Sequence, residues 1–206
     1  MSFPDRPYPD AGAYTAAYRD EIVRAWQSVD LAALDRAAGM LAAAIRGGRI
    51  IYACGNGGSA GIAGHLQCDV LKGVQTDTAL KPKVVSLAAN IELITAIAND
   101  IAYEEVFLYQ LRTMAVAGDV LITISASGNS ENIVRAVKWA RGNGVGTIAM
   151  TGFSGGRSAP LADINLHVDA QNYGIAEDVH QGLMHCLAQH LRQQAMPAEL
   201  VAKRVF

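Results

Sequence analysis

Charged residues are scarce in this 206-residue chain: they make up 17% of it, against about 25% in an average soluble protein. The formal net charge is only -2, and no basic stripe follows the chain, which argues against a nucleic-acid-binding surface. No apolar run approaches the roughly 18 residues of a membrane span, so we expect no membrane insertion. With so few charged side chains to cover the surface, we expect part of it to be hidden in a partner or in copies of the same chain.

Cysteine is also rare, and the three that occur, Cys54, Cys68 and Cys186, form no paired framework. Free cysteines of this kind usually act as small buried hydrophobes rather than zinc ligands. The first six residues lack the apolar core of a signal peptide. We therefore expect a reduced, cytoplasmic protein.

What the chain does contain is apolar sequence, at 51% of its residues, which is enough for a large core. Five short, β-branched runs read as strands, over Ile50–Cys54, Val84–Ala88, Val120–Ser125, Thr147–Thr151 and Ile164–Val168. Helical patterns lie between and after them, over Ala60–Lys72, Ile91–Ala98, Tyr103–Ala115, Asn132–Asn143 and about Ala176–Gln194. Apolar strands alternating with helices predict an α/β fold, with a parallel sheet covered on both faces.

An Ala-rich helical segment, over about residues 11–47, precedes this alternating pattern. Asp30 is placed to cap its second helix, and Gly47-Gly48 ends that helix. With no linker in the sequence, we expect a single domain over residues 1–206, in which residues 48–194 form the sheet and its flanking helices.

Two turns rich in serine and glycine follow strands in this pattern. They are Gly55-Asn56-Gly57-Gly58-Ser59 and Ser125-Ala126-Ser127-Gly128-Asn129-Ser130. Each joins a strand to a helix, where free N–H groups and the helix dipole favour an anion. The first turn has neither the GxGxxG spacing of a dinucleotide fold nor the GK[ST] ending of a P-loop, and a tight structural turn is the alternative to a binding role there. The second carries more polar groups than a turn and a cap require, so we expect it to bind a phosphate or a phosphorylated sugar.

Histidine and acidic residues on two helices offer a possible catalytic or metal site. His65 and Asp69 are four residues apart, which puts them on one helix face, as either a metal or proton-transfer pair or a plain solvated pair. The last helix carries a second polar set, either a functional group or an exposed stripe, made up of Glu177, Asp178, His180, Gln181, His185 and His190. Glu177 and His185 lie about 12 Å apart along a straight helix, so a site that uses both must lie between turns or be shared between subunits.

These motifs together resemble the sugar isomerase (SIS) domain family and, within it, the phosphoheptose isomerases. The resemblance spans about residues 13–192. It rests on the two turns above together with His65, Ala98-Asn99-Asp100, Glu105-Val106-Phe107, Gly118-Asp119-Val120-Leu121, Thr151-Gly152, Glu177-Asp178-Val179-His180 and His185. It implies a three-layer α/β/α fold with a five-stranded parallel sheet, and a homotetramer with active sites between subunits.

The same resemblance implies roles for individual residues. Ser125, Ser127 and Ser130 would hold the sugar phosphate, and the sugar's hydroxyls would contact Asn56, Ser59 and Asp100, with Gly57 in the same binding turn. The family's zinc and catalytic cluster falls on His65, Asp69, Glu177 and His185, with one zinc ion per subunit and with Asp69 and His185 dividing the acid and base roles. Asp69 and Glu177 stand where glutamate and glutamine are commoner, Ala126 replaces a frequent threonine, and a nearby arginine is missing.

An aldose–ketose isomerase acting on sedoheptulose 7-phosphate, or on a related sugar phosphate, is the function that these features imply. Two alternatives stay open at this point: a non-catalytic SIS tetramer that binds a protein partner, such as the relatives that assist a replication initiator, and a module that senses a sugar phosphate. The complete set of His65, Asp69, Glu177 and His185 favours the enzyme.

Overall fold

A computed structural model describes residues 3–206; the first two residues of the N-terminal segment discussed above lie outside the described part. Five parallel strands form one sheet in the order β2-β1-β3-β4-β5. They are β1 Ile50–Gly55, β2 Lys83–Ser86, β3 Val120–Ser125, β4 Gly146–Thr151 and β5 Ile164–His167. The expected α/β architecture with a five-stranded parallel sheet is therefore confirmed.

Eight α-helices occur within residues 3–206. They are α1 Ala11–Gln27, α2 Leu31–Arg46, α3 Gly58–Cys68, α4 Ile91–Asp100, α5 Leu108–Met114, α6 Glu131–Gly142, α7 Tyr173–Ala195 and α8 Ala198–Val201. Asp30 caps α2 as expected, since its carboxylate accepts a hydrogen bond from the Ala32 N–H at 2.9 Å. Within residues 3–206, none of these helices combines the length and the apolar character needed to cross a bilayer.

The two faces of the sheet bury different helices because successive side chains of a strand point in opposite directions. In β1, Ile51 and Ala53 join a core formed with α1, α2, α3 and α7, whereas Tyr52 and Cys54 join a core formed with α4, α5 and α6. Because all neighbouring strands run parallel, their carboxyl ends lie at one common edge of the sheet, and helices pack on both of its faces. This is the edge where parallel sheets bind ligands.

Two of the predicted helices are interrupted in the structure. The helix expected over Ala60–Lys72 stops at Cys68, and a π-helical turn, Asp69–Gly73, replaces its last residues. The helix expected over Tyr103–Ala115 is divided into a 3-10 turn, Tyr103–Glu105, and α5. The division follows from tertiary packing, because Val106 and Phe107 at the break are buried in the core.

Candidate active site

The serine-rich turn at the end of β3 forms a compact loop over the N-terminus of α6. The Gly128 N–H donates to Ser125 Oγ at 3.2 Å, and the Asn129 N–H donates to Ser127 Oγ at 3.3 Å. Ser130 precedes α6 and makes no side-chain capping bond, which leaves its hydroxyl for a ligand. The loop thus gathers three hydroxyls at a helix N-terminus, where the dipole favours an anion.

A second loop, residues 152–158, braces this serine turn from outside. The Ser158 N–H donates to the Gly128 carbonyl oxygen at 2.9 Å, and the Arg157 guanidinium donates to the Asn129 carbonyl oxygen at 2.6 Å. A side chain at Gly128, whose φ is +63°, would collide with the Gly155 carbonyl. Sequence reasoning did not single out Arg157, although the adjacent Gly155-Gly156 pair was a signal of close backbone approach.

Asn56 and Asn132 connect the first turn to the second. Asn56 Nδ2 donates to Asn132 Oδ1 at 3.0 Å, and Asn132 Nδ2 donates back to Asn56 Oδ1 at 2.9 Å. The Tyr103 hydroxyl also donates to Asn56 Oδ1 at 2.9 Å. Asn132 is only 2% exposed, so its amide is held rigidly at the start of α6. Neither Asn132 nor Tyr103 was singled out from the sequence, because their contacts join segments far apart in the chain.

The remaining residues of the first turn lie at the start of α3. Gly57 precedes the helix with a φ of +54°, and Ser59 is buried in its first turn. The carboxylate of Glu177 lies directly against Gly58, where a Cβ would collide with it. Burial, followed by the neighbouring Asp178, raises the pKa of Glu177. Asp100, by contrast, ends α4 on the exposed surface, where its carboxylate accepts a hydrogen bond from Asn99 Nδ2 at 2.8 Å.

His65, Asp69 and His185 come together where α3 packs on α7. His65 Nε2 lies 3.3 Å from Asp69 Oδ1, and His185 Nε2 lies 3.6 Å from Asp69 Oδ2. One donor atom from each residue falls within 4.8 Å of the others. The side chains are 47%, 28% and 39% exposed, respectively, so the group is open to a ligand. Asp69 also begins the π-helical turn, a distortion that is frequent at functional sites.

A fourth polar side chain joins this group. The amide nitrogen of Gln181 lies 2.9 Å from His65 Nδ1 and 3.0 Å from His185 Nε2. Glu177, which the family resemblance puts in the metal set, does not belong to the His65, Asp69 and His185 group; it lies at the other end of α3. Gln181 was noted in the sequence only as one of several polar residues on the last helix.

The donor chemistry of this group fits a zinc ion. Two imidazoles and a carboxylate are common zinc donors, and three protein ligands with an open fourth position are typical of catalytic zinc sites. A serine-rich loop at a helix N-terminus, an amide pair and a group with the donor types of a metal site thus occur in one fold. Such a set suits the binding of a phosphorylated, hydroxyl-rich molecule that reacts at the end opposite its phosphate.

Comparison with known proteins identifies the family. Residues 14–152, more than half of the chain, match the SIS domain family, and the chain belongs to it, which confirms the resemblance. Proteins with a similar sequence include several that are named phosphoheptose isomerase. The one from Shewanella denitrificans is 35% identical over 169 residues, covering 81% of this chain and 86% of the relative. The one from Colwellia psychrerythraea is 37% identical over 167 residues, covering 80% and 85%, respectively.

Solved structures agree with this family assignment. The phosphoheptose isomerase of Neisseria gonorrhoeae matches with a TM-score of 0.81 at 32% identity, covering 88% of this chain and 98% of that one. The phosphoheptose isomerase of Francisella tularensis matches with a TM-score of 0.81 at 27% identity, covering 88% and 96%, respectively.

Proposed function

We propose that this protein is an aldose–ketose isomerase that acts on sedoheptulose 7-phosphate or on a closely related sugar phosphate. The observation that carries the proposal is the convergence of His65, Asp69 and His185, because a protein that only binds a partner has no need for such a group. Relatives named phosphoheptose isomerase, similar over about four fifths of the chain, support the same reaction.

The phosphate end of the substrate is assigned to the serine turn. Ser125, Ser127 and Ser130 donate hydroxyl hydrogen bonds to it, and the N-terminus of α6 adds a favourable dipole. Binding the phosphate far from the reacting carbons lets that binding energy hold C1 and C2 in place. Asn56, Gly57, Ser59 and Asp100 are assigned to the sugar's hydroxyls, of which Asn56 is the best oriented because Asn132 and Tyr103 hold it.

The reaction itself is assigned to Asp69 and His185. Isomerisation removes a proton from C1 of the ketose, passes through an enediol and returns a proton to C2, while the C1 hydroxyl becomes the aldehyde. One residue acts as base and the other as acid, a division that their 3.6 Å separation allows on a single substrate end. A zinc ion held by His65, Asp69 and His185, one per subunit, would polarise the substrate carbonyl.

We further propose a homotetramer in which neighbouring subunits complete each site, and a cytoplasmic location. His65 and Asp69 lie about 10 and 16 Å beyond Gly58 along α3, whereas the serine turn lies at the sheet edge where α3 begins. The half-exposed imidazoles are therefore placed to meet a sugar that a second subunit holds. One continuous core joins α1, α2 and α7 to the sheet, which supports a single SIS domain. The three free cysteines support a reduced compartment.

Turnover of sedoheptulose 7-phosphate in D₂O, followed by NMR, tests the proposal. We expect the wild-type protein to form the aldose and to place solvent deuterium on C2. Asp69→Asn and His185→Gln should each lower kcat at least about 100-fold, which is typical for loss of a general acid or base. His190→Gln, an exposed histidine on the same helix, is the matched control. Wild-type protein that neither turns over nor exchanges any sugar phosphate would refute the proposal, and an undiminished variant would remove that residue from the mechanism.

A further inference from the structure

One arginine outside the serine turn holds the turn at two points. The Arg157 guanidinium donates to the Asn129 carbonyl oxygen at 2.6 Å and to Glu131 Oε2 at 2.9 Å. Asn129 and Glu131 flank Ser130, the residue that precedes α6. Arg157 therefore fixes the chain on both sides of Ser130, whose hydroxyl is one of the three assigned to the phosphate.

The loop that carries Arg157 is held against the turn by its backbone. Ser158 is fully buried, and its N–H donates to the Gly128 carbonyl oxygen at 2.9 Å. Gly156 lies so close to the Ser127 carbonyl oxygen that a Cβ there would collide with it. Because none of these contacts uses the side chain at position 157, the two bonds of the guanidinium can be removed while the loop stays in place.

Glu131, the second acceptor, brings a negative charge next to the same turn. Its carboxylate stands in the first turn of α6, beside the place assigned to a phosphate, a group that carries about −1.5 to −2 charges at pH 7. Hydrogen bonds from Arg135, at 2.9 Å to Oε1, and from Arg157 lower the pKa of Glu131, so the carboxylate is ionised at neutral pH. Without these partners, its charge would repel the phosphate.

The ion pairs around Glu131 continue along the surface and leave a positive charge beside the turn. Arg135 also contacts Glu105 at 2.7 Å, and Arg112 contacts Glu105 at 3.4 Å. The network thus joins three guanidinium groups to two carboxylates, which leaves one positive charge. The serine turn itself contains no basic residue, so this network places the nearest cations along the chain's contacts with it.

We infer that Arg157 is a positioning residue of the phosphate subsite, which holds the turn around Ser130 in its binding shape and keeps the charge of Glu131 paired. The inference rests on the proposed function in taking the three serines of the turn to receive the phosphate. It adds that the affinity of the turn depends on a residue of the neighbouring loop.

Phosphate binding by the purified full chain tests this. Dissociation constants for inorganic phosphate and for sedoheptulose 7-phosphate are measured by ³¹P NMR titration. Arg157→Gln should raise both about 5–10-fold, since one net hydrogen bond is worth about 2–13-fold and the exposed ion pair adds a smaller part. The KM should rise by a similar factor while kcat changes less than about threefold, the pattern of lost uniform binding.

Arg141→Gln is the matched control. The Arg141 side chain is 54% exposed, against 55% for Arg157, and it too donates to a backbone carbonyl oxygen, that of Leu161, at 3.1 Å and contacts a carboxylate, that of Asp163. It lies at the far end of α6, so this variant should leave both dissociation constants unchanged.

Two more variants separate the shape of the turn from the charge beside it. Arg157→Lys keeps the charge but lacks the planar fork that reaches Asn129 and Glu131 together, so its affinity should lie between those of the wild type and Arg157→Gln. Adding Glu131→Gln to Arg157→Gln removes the unpaired charge and should recover part of the lost affinity.

Two results would overturn the inference. One is an Arg157→Gln protein that binds inorganic phosphate and the sugar phosphate as tightly as the wild type. The other is an Arg157→Gln protein whose kcat falls at an unchanged KM, which is the effect of losing folded protein. If Arg157→Gln fails to fold, Arg157→Lys decides in its place, and wild-type affinity in that protein would overturn the inference.

The outcome is separable from that of the proposed function. A wild-type protein that isomerises the sugar phosphate, but whose phosphate affinity does not depend on Arg157, refutes this inference alone. A wild-type protein whose affinity for inorganic phosphate depends on Arg157, but which turns over no sugar phosphate, refutes the proposed function alone.

Discussion

Replacing Asn132 by leucine should uncouple the two binding turns at a cost that can be calculated from their contacts. Asn132 is buried and exchanges two hydrogen bonds with Asn56. Each such bond contributes about 0.5–1.5 kcal/mol, so the loss is about 1–3 kcal/mol in the free energy of unfolding. Leucine branches at Cγ as asparagine does but is larger, so crowding at this buried position adds to the loss. A loss of about 2 kcal/mol lowers the melting temperature by roughly 4–8 °C in a protein of this size.

The same substitution should weaken substrate binding. Asn56 would keep only its bond from Tyr103, so its amide would no longer be fixed towards the sugar. We expect the KM for sedoheptulose 7-phosphate to rise more than kcat falls. Asn132→Asp keeps the acceptor for Asn56 Nδ2 and loses the donor, and should lie between the wild type and Asn132→Leu.

Calorimetry and steady-state kinetics on the same preparations measure both effects. Asn143→Leu is the control, because Asn143 makes one exposed hydrogen bond, to the Trp139 carbonyl oxygen, at the far end of α6. An Asn132→Leu protein with the wild-type melting temperature and the wild-type KM would refute the idea that this amide pair holds the turns together.

Three further predictions concern pH, the serine loop and the metal. Burial lowers the pKa of His180 to about 4, so the folded state resists a proton that the unfolded state accepts below about pH 6.5. The contribution of His180 to the free energy of unfolding should therefore be full above that pH and fall by roughly 3 kcal/mol as the pH drops to 4. Urea unfolding at a series of pH values measures this dependence, which the His180→Leu protein should lack. Gly128→Ala should lower the free energy of unfolding by more than about 1 kcal/mol and raise the KM for the sugar phosphate, because φ at Gly128 is positive and the new Cβ would collide with the Gly155 carbonyl oxygen. Gly142→Ala is the control: a Cβ at this position of α6 meets no neighbouring atom, so the melting temperature should rise slightly. Removal of metal with a strong chelator should abolish turnover, and added Zn²⁺ should restore it; full activity of a metal-free preparation would contradict the zinc assignment.

The sheet could be predicted from the sequence because its strands are fully buried and therefore read as short apolar runs. Every predicted strand lies within two residues of the observed one, as in Val84–Ala88 against Lys83–Ser86. Helices whose ends are set by capping residues in the sequence were also predicted well, as with α2, which Asp30 caps at its N-terminus and Gly47 at its C-terminus. The division at Phe107 was not predicted, because it depends on burial against distant strands rather than on local propensity.

The candidate site was only partly predictable for the same reason. His65 and Asp69 share a helix face, so their spacing alone indicated a pair. Gln181, Asn132 and Arg157 became visible only when their partners, far away in the chain, were brought next to them. The roles given to Ser125, Ser127 and Ser130, and to Glu177, remain predictions of the family resemblance.

The most direct test of the account is a crystal structure of the protein with sedoheptulose 7-phosphate bound. The account predicts phosphate oxygens on the hydroxyls of Ser125, Ser127 and Ser130, with C1 and C2 of the sugar in contact with Asp69 and His185 of the same or a neighbouring subunit. A sugar phosphate bound away from the serine turn, or one whose carbonyl end is far from those two residues in every subunit, would contradict it.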